Sequence, residues 1–380
     1  MKILVLAQEI GTNAPGILYD RLLQELGRLC RMDVAVVSYE PTSPLTVEKI
    51  FRIPYPRMKY AVKKAMLSVF GRDPVSRWLC RKLRGIKPGE YDAVLSLCSN
   101  DRFWALEAGA FLKRRLGCPW GCYFVDAIPA PLNWFPDSAY RRAVVRTVRR
   151  CCGQMDFLAS LCEEMLRYQL SMLPGRPKVT DVLLPSIPSV AGCSCGPRPE
   201  GPCRFLYAGR IYGRRSAKHL LEAFSLLIRE IPDAELVFAG TERTILDEAG
   251  RYGEELRAHV ILLPWVSDIS EEVLKATALI DLDAEVDGDV FLSSKMFTYL
   301  AYDRPVICET GMDSPSRRVF SGIPSILQCG HDARELKTAM AEVVRRSGAF
   351  DYSDRDAVRE KASAAYSARR LHDTLKSLCP

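Results

Sequence analysis

The sequence predicts an α/β protein built from two parallel sheets, each covered by helices on both faces. Three observations carry this. Short Val/Ile/Leu-rich runs alternate with amphipathic helical patterns, and the runs have no polar side, as strands buried on both faces require. The alternation occurs twice, in residues 1–184 and again in 204–352, and 380 residues are enough for two domains with their own cores. Between them, residues 185–203 are rich in Pro and Gly without periodicity and read as a linker.

In the first half, strands are expected at 2–7, 33–38, 92–97, 121–126, 156–160 and 180–184. The helix at 17–29 shows the intervening pattern, with Leu18, Leu22, Leu26 and Leu29 on one face. In the second half, strands are expected at 204–208, 235–239, 260–263, 279–283, 305–309 and 325–328. Helices fall at 218–230, 271–277, 295–302 and 332–346. Each half therefore reads as a Rossmann-like domain. The tail forms a C-terminal element over 353–380, with one long helical pattern at 354–378.

Composition narrows the class. Hydrophobic content of 48% and charge of 26% are those of a globular protein. No run of 18 apolar residues is present, so no membrane-spanning helix is expected. The first residues read as a β-strand, where a signal peptide would need a longer apolar region. Cys30, Cys98, Cys122 and Cys308 sit in apolar patterns and read as buried thiols in a reducing, cytoplasmic setting. Cys193, Cys195 and Cys203 lack a second Cys-x-x-Cys pair, so no metal is expected there.

The net charge of +7 is uneven. Residues 57–87 hold ten Lys/Arg and one acid, Asp73, and 141–150 hold five arginines. Such fields attract anionic surfaces. Met58, Val62, Met66 and Val69 form an apolar stripe beside Lys59, Lys63 and Lys64. It reads first as a core-facing helix with a solvated basic side, and alternatively as a surface that meets an anionic membrane at its inner face. The basic runs lack interleaved aromatics and any groove-reading motif, so nucleic acid is not an expected partner.

Two segments carry the chemistry. Residues 287–307 read as an acidic loop, a short helix from Lys295 with Ser293 and Ser294 as N-cap candidates, a turn, and a buried strand. A helix start gathers free N–H groups, and Lys295 adds a full charge, a combination that suits phosphate. Residues 205–211 form a strand followed at once by Gly209 and Arg210, with Arg215 opening the next helix. Ligands in open α/β sheets bind at that strand edge, and a glycine there allows close approach. Trp265 and Val266 follow another buried strand, and Trp265 serves either a ligand or the core. The acids Asp281, Asp283, Glu285, Asp287 and Asp289 alternate, but Ser294 stands where a calcium loop needs glutamate, so calcium is not expected. Asp126 ends a strand, as a functional acid or as a helix cap. Gly11 and Gly16 lie in the loop after the first strand.

The segment 294–307 resembles the donor site of GT-B glycosyltransferases, in particular retaining family four. Ser294-Lys295, Tyr299-Leu300-Ala301 and Arg304-Pro305-Val306-Ile307 fit its pattern, and so does Gly209-Arg210 before a Leu-Leu-x-Ala-Phe helix. Arg215 takes the family's lysine position, where it keeps the charge and adds bidentate reach to phosphate. Val290 and Thr298 stand where the family has two glutamates, and Asp303 replaces the turn glycine. The resemblance implies a GT-B fold, two Rossmann-like domains facing across a cleft. It implies a nucleotide-diphosphate sugar as co-substrate, with no further cofactor and no metal. Gly209, Arg210, Arg215, Ser293, Ser294 and Lys295 would hold the diphosphate, and Trp265, Val266 and Thr298 the base and ribose. Asp287 and Asp289 would meet the donor sugar. Asp126 would face the anomeric carbon, and Gly11 and Gly16 would near the phosphates. The acceptor would be a glycan or lipid-linked glycan in polysaccharide assembly. A nucleotide-sugar epimerase, an inverting transferase and a ligand-binding protein without turnover are the other readings.

Overall fold

The computed structural model describes residues 1–54, 60–71, 74–99, 104–188, 201–266, 268–346 and 348–380. The chain divides into two compact units, Met1–Ser186 with Lys361–Pro380, and Ile187–Glu360. Cys193 and Cys195, and most of the linker expected at 185–203, lie outside the described residues.

In the first unit, β1 (Lys2–Ile10), β2 (Arg31–Tyr39), β3 (Lys49–Arg52), β4 (Ala93–Cys98), β5 (Trp120–Phe124), β6 (Phe157–Ser160) and β7 (Val179–Val182) form a parallel sheet. Its order is β3-β2-β1-β4-β5-β6-β7. β1 shows how the sequence dictates this. Ile3, Val5 and Ala7 enter one core with Tyr19, Leu22 and Leu26 of the helix Ala14–Leu29. Leu4 and Leu6 enter the other core with Trp104 and Leu106 of the helix Trp104–Leu116. Successive side chains point to opposite faces, so a strand covered on both sides has no polar register.

β1 runs three residues further than its apolar run. Glu9 and Ile10 pair with Ser38 and Tyr39, and the buried Glu9 carboxylate accepts a hydrogen bond from Ser99 Oγ at 3.0 Å. β3 escaped the sequence pattern because Lys49-Ile-Phe-Arg52 is a short edge strand with both ends exposed.

The expected tail helix is broken into Asp356–Lys361 and Ala364–Leu378. Ser363 caps the second piece by accepting the Tyr366 N–H. The reason is that the two parts serve different cores. Arg355, fully buried in the second unit, donates to Ser325 Oγ and to the carbonyls of Tyr302, Arg304 and Ser325. Ala368, Leu371 and Leu375 are buried in the first unit, where Arg370 pairs with both carboxylate oxygens of Asp181 at 3.0 Å.

The second unit is a parallel sheet of β8 (Arg204–Ala208), β9 (Glu235–Ala239), β10 (Val260–Leu263), β11 (Ala278–Leu282), β12 (Val306–Glu309) and β13 (Ile326–Cys329). The order β10-β9-β8-β11-β12-β13 reverses direction between β8 and β11. In such sheets the crevice for ligands opens outside the carboxyl ends of the strands at that switch. Cys98, Cys122 and Cys308 are buried free thiols. No helix among the described residues is long and apolar enough to cross a membrane.

Candidate functional site

The switch between β8 and β11 is where charge collects. Gly209 leaves β8 with φ 125°, a conformation that favours glycine, and a Cβ there would lie 3.2 Å from Lys295 Cδ. Lys295 stands in the first turn of the helix Ser294–Tyr299. Its Nζ lies 3.5 Å from Asp281 Oδ1 and 5.1 Å above the Tyr207 ring. Asp281 is 0% exposed, and neither of its oxygens receives a hydrogen bond among the described residues. Burial pulls the Lys295 ammonium down, but Asp281 and Tyr207 outweigh it and hold the group above its ordinary range.

Arg215 joins the same field. Its guanidinium lies 5.4 Å from the Tyr212 ring centre. Burial opposes its charge, while Tyr212, Asp281, Asp283 and Tyr207 favour it, and the net shift is upward. Arg215 in turn pulls Lys295 down, so both cations feel the charge of the one buried acid. Beside them, burial and Asp281 push the Asp283 carboxyl up, while Ser314 Oγ and the Ala284 N–H donate to it. Tyr207 fixes the strand exit by donating to the Arg210 carbonyl at 3.0 Å, and Tyr299 Oη accepts the Ala208 N–H at 2.8 Å.

Other residues at this edge lie differently. The Arg210 guanidinium is 67% exposed and pairs with Glu242 at 2.7 Å. Ser293 is the N-cap by position, but its Oγ takes no helix N–H, and Ser294 is the first helical residue. Trp265 is 72% exposed, so it does not pack a core. Its indole lies against Gly240, where a Cβ would come within 3.1 Å of Trp265 Cδ1. Val266 and Thr298 are half-buried, and Val290 is buried. Asp287 is exposed, whereas Asp289 is buried and accepts the Phe291 N–H at 3.0 Å, closing its own turn.

In the first unit, Asp126 follows β5 and is half-buried. It does not cap the next helix, Ala139–Cys152, which is capped by Ser138. Its charge reaches the buried Tyr19, whose hydroxyl is pushed up first by burial and then by Cys98 and Asp126. Gly11 has φ 83°, and a Cβ there would meet the Glu40 carbonyl oxygen at 1.8 Å, so chain packing requires this glycine. Gly16 is not in a loop. It lies in the first turn of the helix Ala14–Leu29, where its N–H donates to the capping Asn13 Oδ1.

The basic region also departs from the core-facing reading. In the helix Tyr60–Phe70, Lys63 and Leu67 face inward, while Val62, Val69 and Phe70 are exposed, Val69 by 75%. Met58 and Lys59 lie outside the described residues. Nearby, Arg77, Arg81, Arg84, Arg114 and Arg150 line a cavity of about 340 Å³ with Glu107.

No family model matches the chain, and no curated protein matches it in sequence. Solved structures do. HepE of Anabaena in complex with UDP-glucose has a TM-score of 0.69 at 13% identity, covering 100% of each chain. WaaG, a glycosyltransferase involved in lipopolysaccharide biosynthesis, has 0.67 at 14%, covering 99% of each. The lipopolysaccharide outer core galactosyltransferase WaaB, in its apo form, has 0.63 at 13%, covering 99% of each. The fold is GT-B.

Within this GT-B chain, Gly209, Arg215, Ser293, Ser294 and Lys295 gather at the β8/β11 switch. The Arg210 backbone is there, but its guanidinium is turned to Glu242. Sequence reasoning missed Tyr207 and the counter-ion role of Asp281. Tyr207 is a lone polar residue in an apolar strand, and the alternation of acids from Asp281 to Asp289 does not mark which of them are buried.

Proposed function

We propose that this chain is a glycosyltransferase that moves a sugar from a nucleotide-diphosphate donor to a glycan or lipid-linked acceptor, with retention, in polysaccharide biosynthesis. The observation that carries the reading is Lys295, held over Tyr207 and beside Asp281 next to the open backbone of Gly209, with Arg215 in the same electrostatic field. Negative charge develops on a diphosphate as it leaves with the electron pair. Preorganised cations at that point stabilise the transition state more than the ground state. These side chains supply the charge without a metal. Arg210 can join by exchanging Glu242 for phosphate, since an exposed pair is worth little.

The exposed Trp265 offers a stacking face for the base, and Thr298 lies one helical turn beyond Ser294 for the ribose. Asp287 serves the donor sugar's hydroxyls, and Asp126 serves the acceptor hydroxyl or the charge at the anomeric carbon. HepE was solved with UDP and UDP-glucose, and a trehalose-6-phosphate protein from E. coli with UDP-2-fluoro glucose. A UDP-sugar is therefore the first donor to offer.

The test is donor hydrolysis and transfer with UDP-sugars. Arg215→Ala is expected to lose at least about tenfold in turnover, because a charge-assisted contact to the leaving group is worth about 1.5–3 kcal/mol. Arg210→Ala is expected to lose less. Turnover unchanged in Arg215→Ala would remove the cation pair from the mechanism. Binding of UDP without any turnover would favour the second reading, a GT-B protein that binds its ligand only, to which Val290 and Thr298 in place of glutamates point.

The acceptor side of the reading is a peripheral contact with an anionic membrane at the cytoplasmic face. Exposed Val69 and Phe70 beside an arginine-lined cavity support it. Cosedimentation with vesicles containing anionic lipid should be lost in Val69→Asp/Phe70→Asp. Equal binding by that variant would refute the contact.

A further inference from the structure

The second unit holds another cluster of reactive side chains. His219 lies in the first turn of the helix Lys218–Leu227, Glu309 ends β12, and His331 follows β13. Both His219 Nδ1 and His331 Nδ1 lie 2.9 Å from the same oxygen, Glu309 Oε1. One ligand atom from each residue falls within 4.8 Å of the other two. The Glu309 side chain is 2% exposed, and those of His219 and His331 are 17% and 12% exposed. Hydrogen bonding within the group does not account for all of it. Glu309 Oε2 and His331 Nε2 are both buried without a hydrogen-bond partner among the described residues. Such atoms are rare in folded proteins, and each calls for a cause.

We propose that His219, Glu309 and His331 form a binding site for a divalent transition-metal ion of the zinc class. Two imidazoles and one carboxylate are the donor set zinc takes where it keeps a further position open. Magnesium and calcium choose oxygen ligands, so imidazoles point away from them. The cation replaces the protons that now bridge each ring to the carboxylate. Bonds of about 2.0–2.2 Å to one ion set the donor atoms somewhat more than about 3 Å apart, so the two 2.9 Å contacts to Glu309 open slightly as it enters.

The surrounding field favours a cation. Asp283 and Glu285 act on His331 together with Glu309, and Asp332 lies near His219. Arg317, whose guanidinium donates to the carbonyls of Gly311, Thr310 and Cys329, opposes that field, as do Lys218 next to His219 and Arg334 beside Asp332. The cluster shares no ligand residue with the proposed diphosphate grip, so it needs no donor to be tested.

The experiment uses the full chain, stripped with a chelator and titrated with Zn²⁺ by calorimetry and with Co²⁺ by visible absorption. The chain has only four histidines, so imidazole NMR reports the ligands directly. A single bound equivalent is expected to shift the rings of His219 and His331 and to leave His259 and His372 unmoved. Glu309→Gln and His331→Asn are each expected to weaken binding at least about tenfold. No uptake, uptake that leaves both rings unmoved, or equal affinity in both variants would overturn the proposal. Equal affinity would assign the metal to thiolates. If the variants fail to fold, the NMR of the native protein still decides.

Discussion

Lys295 has a structural and a functional job that can be separated. It is the counter-ion to Asp281, which is 0% exposed, and it presents an ammonium to the strand edge. Removing one partner of a buried pair leaves the other uncompensated, at a cost of about 3–5 kcal/mol. Lys295 is itself 21% exposed, so the low end applies. Lys295→Met should therefore destabilise the second unit by about 3 kcal/mol in urea titrations. Lys295→Met/Asp281→Asn should recover most of that, because the buried charge is gone. No recovery would mean that Lys295 contributes packing, and that Asp281 is not what it neutralises. The Ser-Lys spacing made Lys295 visible in the sequence. Asp281 was visible only as one of five alternating acids, and nothing in that alternation singles out the buried one.

At the level of elements, the strands were legible because both sheet faces are covered. β8, β9 and β10 have the bounds their apolar runs suggested. Edges and joints were less so. β3 carries charged ends, and the tail helix breaks at Ser363 between residues anchored in different cores, which periodicity does not register. Elements are also tied by single polar groups. Asp156, at the start of β6, accepts from the Trp120 N–H of β5 at 2.9 Å, pairs with Lys113 of the helix Trp104–Leu116 at 2.6 Å, and meets Lys178 at 3.1 Å. Burial pushes its carboxyl up, but Lys113, the Trp120 N–H and Lys178 outweigh burial and hold it below the ordinary range. A depressed acid stabilises the fold above its unfolded value of about 3.9, and that contribution is lost as pH falls through the lower folded value. Acidification below about pH 4 should thus cost the native protein more stability than it costs Asp156→Asn. Parallel curves for the two proteins would show that the linkage is absent.

Across the whole molecule, the sequence conveyed that charge and glycine gather at the second sheet's switch. It did not convey orientation. Arg210 and Arg215 are five residues apart with the same charge, yet one faces Glu242 in solvent and the other shares the field of Asp281. That difference arises from where β9 and β11 return in space, which no local spacing encodes. The same holds for His219, Glu309 and His331, brought together from three segments. The account rests on a diphosphate being gripped by Lys295 and Arg215. Calorimetric titration of UDP into the native chain and into Lys295→Met/Asp281→Asn tests this most directly, since the paired substitution leaves no buried charge uncompensated and is expected to keep the fold. Binding by the native chain that weakens at least about tenfold in the variant is the predicted result. Equal affinity in the two proteins, or no binding by the native chain, would contradict it.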